Sequence, residues 1–464
     1  MNMSLGRRAA PYVLVCLSAL VPGRASSQAP NDTLRLDLSR SIALALTNAT
    51  PIQLGSDTVR LSGIALLESY GRFLPNVTTA AGAFDERGLT LLSSTSLAPA
   101  DAQFYGLSYQ LSASLNLFNG FRDREHLRAS LQTRDAALNS LDRARQQVAF
   151  DVSQAYYQVA LDRRLASVAV ANLQLSTARE AQLAEEVRIG TKAPPDLYRQ
   201  QAQARADEVA VIDANNRVQT GQTALLNRLR LDATKPYAIV ESTVDTTRLT
   251  DDAVQFDAVL DNALRRRPDL AAAQHKSIAD QHAMQEARGE LLPQLSLRFD
   301  YVGSGRVFGR EIVDGKDQLT VTQGAIGEQL ANQRYAQLSL GLSWSLFDGF
   351  RERLDMERAM VASDRDRLNV EDLRLRIGSE VQTAIGNYRA AEEKLVASAA
   401  ALDAAQQAFD AVQGRFDVGL ASVVDVLTAQ TALTQARALR EQSLENMALQ
   451  KAVLRYASGE SPVR

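Results

Sequence analysis

Leu117-Phe118-Asn119-Gly120-Phe121-Arg122 returns 229 residues later as Leu346-Phe347-Asp348-Gly349-Phe350-Arg351. At the same offset Gly190 returns as Gly419, Asp196 as Asp425 and Gln201 as Gln430. The 68-residue spacing from Arg122 to Gly190 is therefore kept, without net insertion, from Arg351 to Gly419. Similarity at a fixed offset marks a duplicated unit, and a length held in both copies marks a long rigid element.

Each copy reads as short helix, strand, loop, strand, very long helix, turn and return helix. In the first, Leu38 to Leu46 and Val59 to Glu68 read as helical, and Pro75 opens a strand. Thr90 to Ala100 reads as a loop. Tyr105, Leu107, Tyr109, Leu111, Ala113, Leu115 and Leu117 then alternate with Gly106, Ser108, Gln110, Ser112, Ser114 and Asn116, a strand with one polar face. In the second copy Leu295, Leu297, Phe299 and Tyr301 alternate with Ser296, Arg298 and Asp300. Ala336, Leu338, Leu340, Leu342, Trp344 and Leu346 do the same farther on, and Gly303 to Arg334 reads as a loop. The second hairpin is 11 residues longer than the first, as free loop tips on a shaft of fixed length allow. Such strands suit a membrane barrel with lipid outside and water inside. A soluble sheet with one wet face has the same period. Its solvated face should carry Lys and Glu, and here the polar face is mainly Ser, Gly, Gln and Asn, with few of those charges.

Between Phe121 and Val187 there is no Gly and no Pro. Leu131, Leu138, Val152, Val159, Ala166 and Leu173 recur at heptad positions, interrupted by Arg145, beside a second row of Leu127, Leu141, Val148 and Ala155. The later copy has a large row (Val381, Tyr388, Leu395, Leu402, Phe409, Phe416) beside a smaller one (Val370, Ile377, Ala384, Ala391, Ser398, Ala405, Val412). Period seven predicts supercoiling helices, each a rod of roughly 100 Å at 1.5 Å per residue. Gly378 and Gly386 suggest a bend or a close helix approach. Gly190 and Gly419 are placed to end the rods.

The chain has 464 residues and formal net charge −3, so nothing electrostatic points to nucleic acid. Ala9 to Val21 is apolar, follows Arg7-Arg8 and precedes small residues, and reads as the core of a signal peptide over residues 1–27. Cys16, the single cysteine, lies within it. Val15 argues against a lipid anchor there, and the mature chain is then expected to lack cysteine and disulfides. The organisation expected is a first repeat over 28–231 (strands ~75–86 and ~104–118, long helix ~121–188, return ~196–231) and a connector over 232–258. A second repeat over 259–457 (strands ~293–303 and ~335–347, long helix ~350–416, return ~422–456) and a tail over 458–464 complete it.

These residues together resemble the outer-membrane efflux protein family, the TolC-like exit ducts. The likeness rests on the duplicated hexapeptide, on Arg267-Pro268-Asp269-Leu270 opening the second copy, and on Arg415-Phe416-Asp417-Val418-Gly419 followed by Asp425-Val426-Leu427 and Ala429-Gln430. It implies a mainly α protein with membrane β structure. Three chains would each give four strands to one 12-stranded barrel and four helical rods to a periplasmic coiled-coil tunnel. Separately, four strands cannot close a barrel, and open edges cannot rest in lipid. The resemblance implies no chemistry step: an outer-membrane exit duct of a tripartite efflux system, working with a periplasmic adaptor and an inner-membrane pump. The same duct serving type I protein secretion is the alternative, and a secreted coiled-coil scaffold without a pore a more distant one.

In the family the closed tip is ringed by aspartates and locked by links between hairpins. Asp425 matches the first ring position, and the second falls on Thr428. A linking arginine falls on Ala421, a lock tyrosine on Phe416, and the lock partner of the other hairpin on Asp196. For Asp425 and Asp196 the competing reading is helix N-terminal capping. Val187, Gly190, Gly419, Leu420 and Leu427 are candidate adaptor contacts, with simple turn packing as the alternative. His126, His275 and His282 read as solvated or helix-packed. Gly303-Ser304-Gly305 with Gly309 lacks the spacing and following helix of a dinucleotide loop. No catalytic set, cofactor or metal site is expected.

Overall fold

The computed structural model describes residues 34–90, 100–240, 255–313, 316–317 and 324–460. The expected signal peptide, Cys16, most of the first hairpin loop, part of the connector and the end of the tail lie outside them. The first copy contains β1 (Leu34–Leu36), α1 (Leu38–Asn48), α2 (Thr50–Gly71), β2 (Asn76–Thr90), β3 (Ala100–Asn119), α3 (Arg122–Arg188), α4 (Pro194–Leu229) and β4 (Tyr237–Ile239). The second contains α5 (Phe256–Arg266), α6 (Pro268–Gly289), β5 (Gln294–Val313), β6 (Lys316–Asp317), α7 (Ile326–Asn332), β7 (Arg334–Ser343), α8 (Arg351–Asp417) and α9 (Val423–Ala457).

The repeated hexapeptide is the turn from strand to long helix. Gly120 and Phe121 have φ of +70° and +65°, and Gly349 and Phe350 of +73° and +70°. Two successive left-handed residues reverse the chain from sheet into helix. The phenylalanine is stabilised there by edge-on ring contacts, Phe118 with Phe121 and Phe347 with Phe350. Asn119 and Asp348 accept from the backbone N–H of Asp123 and Glu352, satisfying an orphan donor of each helix. A Cβ on Gly120 would lie 2.1 Å from the Gly289 carbonyl oxygen, so α6 fixes this glycine by close approach.

The strands form one antiparallel sheet in the order β2-β3-β5-β7, with β6 pairing the far end of β5. Register puts Leu111 beside Tyr301, Leu297 beside Leu340 and Phe299 beside Leu338 on one face. The other face pairs Ser112 with Asp300 and Ser114 with Arg298, and Ser112 and Gln110 donate to Asp300.

Two strand expectations need correction. Gly303 to Arg334 is not one loop. β5 continues to Val313 because β3 still offers it a hydrogen-bonding edge, with Gly305 beside Leu107 and Val307 beside Tyr105, and α7 follows. Conversely, β7 stops at Ser343, which pairs with the first residue of β5, so Trp344 to Phe347 have no strand to join. Trp344 instead donates its indole N–H to the Leu291 carbonyl at 3.1 Å.

Each long helix has 67 residues. Below the strands the helices pack in the order α2-α3-α6-α8, and farther down as α4-α3-α9-α8. Both heptad rows of α8 are used: Val370, Ile377, Val381, Ala384, Tyr388, Ala391, Ser398, Phe409 and Phe416 are buried. Gly378 and Gly386 interrupt nothing. α8 runs through both, and a Cβ at either would meet open space. One core gathers Tyr156, Val152, Val159, Leu225 and Leu229 with residues of β1, α1 and β4. There the Tyr156 hydroxyl donates to the Val240 carbonyl, and burial pushes the phenol up to about 12. β1 and β4 pair in parallel, tying part of the connector to the start of the first copy.

Candidate functional site: the hairpin tips

Both long helices end in the same way. Gly190 and Gly419 have φ of +79° and +78°, and their N–H groups donate to Val187 and Phe416. Thr191 and Leu420 then reach back to the Glu186 and Arg415 carbonyls, a wrap that needs the left-handed glycine. α4 restarts on Pro194-Pro195 and α9 on the Ser422 cap.

Asp425 is exposed and forms a capping box. Its carboxylate accepts from the Ser422 N–H at 2.9 Å and the Ser422 hydroxyl at 2.8 Å, while its own N–H donates to that hydroxyl. The Ser422 backbone bond, then the hydroxyl bond, hold the Asp425 carboxyl below its ordinary range. Thr428 is exposed one turn on, its hydroxyl donating to the Val424 carbonyl. Asp196, in the first turn of α4, faces Arg199 at 3.5 Å. The helix-capping chemistry expected as the alternative is thus present at Asp425, on a side chain that still faces solvent.

Phe416 is only 4% exposed. It packs with Leu183, Val423 and Val426 in a core that joins the two hairpin tips, under the Lys192 ammonium 4.2 Å from its ring. Its ring therefore packs between the two hairpins. Leu427 flanks this core, Val187 is half-buried, and Gly190, Gly419 and Leu420 form the exposed ends.

Behind the tips lies a buried polar network that the sequence did not disclose. Arg179 of α3 is buried, donates to Gln413 of α8 and Gln430 of α9, and lies over the Phe409 ring. Gln430 donates to Asn172 and Ser176, Ser176 donates to Asp207 of α4, and Gln200 donates to the Ser176 carbonyl. Ser176, Arg179 and Gln430 thus tie all four helices together, α8 entering through Gln413. The only advance signal was the recurrence of Gln201 as Gln430, and in the first copy its neighbour Gln200 is the buried one. The histidines are also engaged across helices: His126 with Glu286, His282 with Glu125 and His275 with Gln132. No cluster among the described residues has the make-up of a metal site.

With this geometry in view, residues 259–460 match the outer membrane efflux protein family. That match spans most of the second repeat. CyaE of Bordetella pertussis is 23% identical over 403 residues, covering 87% of this chain and 79% of its own. TolC of Escherichia coli is 24% identical over 333 residues, covering 70% of this chain and 64% of its own. Among solved structures, CusC superposes with a TM-score of 0.78 at 16% identity, over 95% of this chain and 97% of that one. The fold shared with CusC accordingly extends over both repeats.

Proposed function

We propose that the chain is one protomer of a trimeric outer-membrane exit duct of a tripartite efflux system, its helical rods extending into the periplasm. A periplasmic adaptor and an inner-membrane pump deliver the substrate, and passage through the duct is passive. One observation carries this reading: the molecule is unfinished along the same two sides at every height. β2 and β7 are the sheet edges, α2 and α8 end the upper row of helices, and α4 and α8 end the lower. The upper edges carry matching apolar stripes that face solvent. On α8 these are Leu354, Val361, Leu368 and Leu375, spaced by seven, and on α2 Leu54, Leu61, Ile64 and Leu67. Unpaired strand edges are not tolerated in lipid, and exposed heptad stripes call for a partner helix. Closure by sister copies meets both needs, giving a barrel and a tunnel with a common bore.

In the closed ring three copies of Asp425, with Thr428 behind, make a cation-attracting neck with Asp196 nearby. Val187, Gly190, Gly419, Leu420 and Leu427 are the ends an adaptor meets. The deciding experiment is sizing of the processed chain in detergent, followed by planar-bilayer recording. A trimer that conducts is expected; a soluble, non-conducting monomer overturns the proposal. A bulky side chain at Gly419 should weaken adaptor capture with the trimer intact, and normal capture would remove that assignment.

A further inference from the structure

We propose that the cleft between the start of α3 and the end of α6 is a binding site for the phosphate group of an anionic phospholipid. This rests on the membrane reading above. The cleft holds about 480 Å³ and lies immediately below the strands. Its α3 wall presents Arg124 and Arg128, its α6 wall Arg288 and His282, and Phe121 and Leu292 form its apolar rim.

Strand register sets the cleft on the lipid side. A bulge between Asn116 and Phe118 turns Phe118 into line with Leu295, which pairs in turn with Leu342 of the apolar face. The Phe118 ring packs edge-on against Phe121 at 5.2 Å, and the Arg124 guanidinium lies 5.4 Å from the Phe121 centroid. An apolar path therefore leads from the sheet's outer face to the arginines. Trp344, just past the end of β7, marks the interfacial level where indole rings collect, and its partner Leu291 adjoins Leu292.

The charges do not cancel inside the cleft. Glu125 is the one carboxylate in its wall. It already accepts from Arg124 at 3.1 Å, Arg128 at 3.0 Å and His282 at 2.8 Å. Arg288 is exposed and makes no ion pair among the described residues. Three guanidiniums against one carboxylate leave an excess of two positive charges, with donors to spare for phosphate oxygens. Duplication does not explain the set, because α8 carries Arg353, Leu354 and Glu357 where α3 carries Arg124, Glu125 and Arg128. Cationic clefts beside a membrane surface favour anionic headgroups by about 1 kcal/mol per basic side chain.

The test uses the full processed chain in detergent. Native mass spectrometry would measure binding of phosphatidylglycerol, of phosphatidylcholine with the same acyl chains, and of inorganic phosphate. Phosphatidylglycerol should bind best, with inorganic phosphate a poor competitor. Arg288→Gln should weaken it about fivefold, and the Arg128→Gln, Arg288→Gln double variant more than twentyfold, with sizing and conductance unchanged. Equal binding of the two lipids, full competition by inorganic phosphate, or an unaffected double variant overturns the proposal. A trimer that conducts but shows no preference for the anionic lipid would reject this site and leave the duct reading standing.

Discussion

Gly120 and Gly349 occupy the same place in the repeated turn, yet they are glycine for different reasons. At Gly349 only the left-handed backbone demands it; at Gly120 a Cβ would also strike the Gly289 carbonyl. Gly349→Ala should cost about 1–2 kcal/mol, the penalty of a left-handed residue with a side chain. Gly120→Ala should cost more, roughly 3 kcal/mol or above, since backbone must move. Thermal unfolding of the two variants checks the order; equal losses would contradict the close approach. Asp425 combines two duties that can be separated. Asp425→Ala should lose the stability of the cap and also weaken block by multivalent cations. Asp425→Ser should restore part of the stability but not the block. Because its folded carboxyl lies below the ordinary 3.8, the stabilisation it supplies is complete above that value and fades as pH falls through the lowered one. Acid melting of wild type and Asp425→Ala should therefore converge once the pH falls below that lowered value.

At the scale of elements, the two hairpins are joined by an apolar core at the tip and a polar network behind it. Gln430 serves Arg179, Asn172 and Ser176 at once. Gln430→Leu should cost about 1–3 kcal/mol, because it strands buried donors and acceptors while preserving volume. Hydrogen exchange should show faster opening of α4 and α9 near the tip, with the upper rows of helices protected as before. Higher up, Lys276 bridges Asp280 of its own helix to Asp366 of α8. A hydrogen bond with Asp280, with further help from Lys276 and Asn369, pulls the Asp366 carboxyl down to about 2. That link between α6 and α8 persists through mild acid and gives way only as the pH falls toward that value.

The whole molecule makes sense as a segment of a closed ring. The stripes on α2 and α8 both start just below the strands and descend in opposite chain directions. The proposed closure sets Leu61 of one copy opposite Val361 of the next, and Leu54 opposite Leu368. Leu61→Cys with Val361→Cys should form disulfide-linked trimers under mild oxidation, whereas Leu61→Cys alone should not. Leu368→Glu should leave helix content intact but reduce the sized trimer to smaller species. A trimer unaffected by that charge would place the seam elsewhere.

Much of this was legible in the sequence, because periodicity and duplication are local properties. Heptad rows specified which faces of α8 are buried, period two specified the two faces of β3, and the matched offset gave the two copies and their glycine stops. Other features depend on which distant segments meet, and no local pattern encodes that. β5 extends beyond Gly303 because β3 lies beside it, and β7 ends at Ser343 because β5 begins there. Gln430 of α9 meets Arg179 and Ser176 of α3, and the basic cleft under the sheet joins α3 to α6. Sequence alone determined the rods and the four main strands of the sheet; only tertiary packing decided the strand ends and where the polar side chains gather, since burial and pairing arise between elements and not within them.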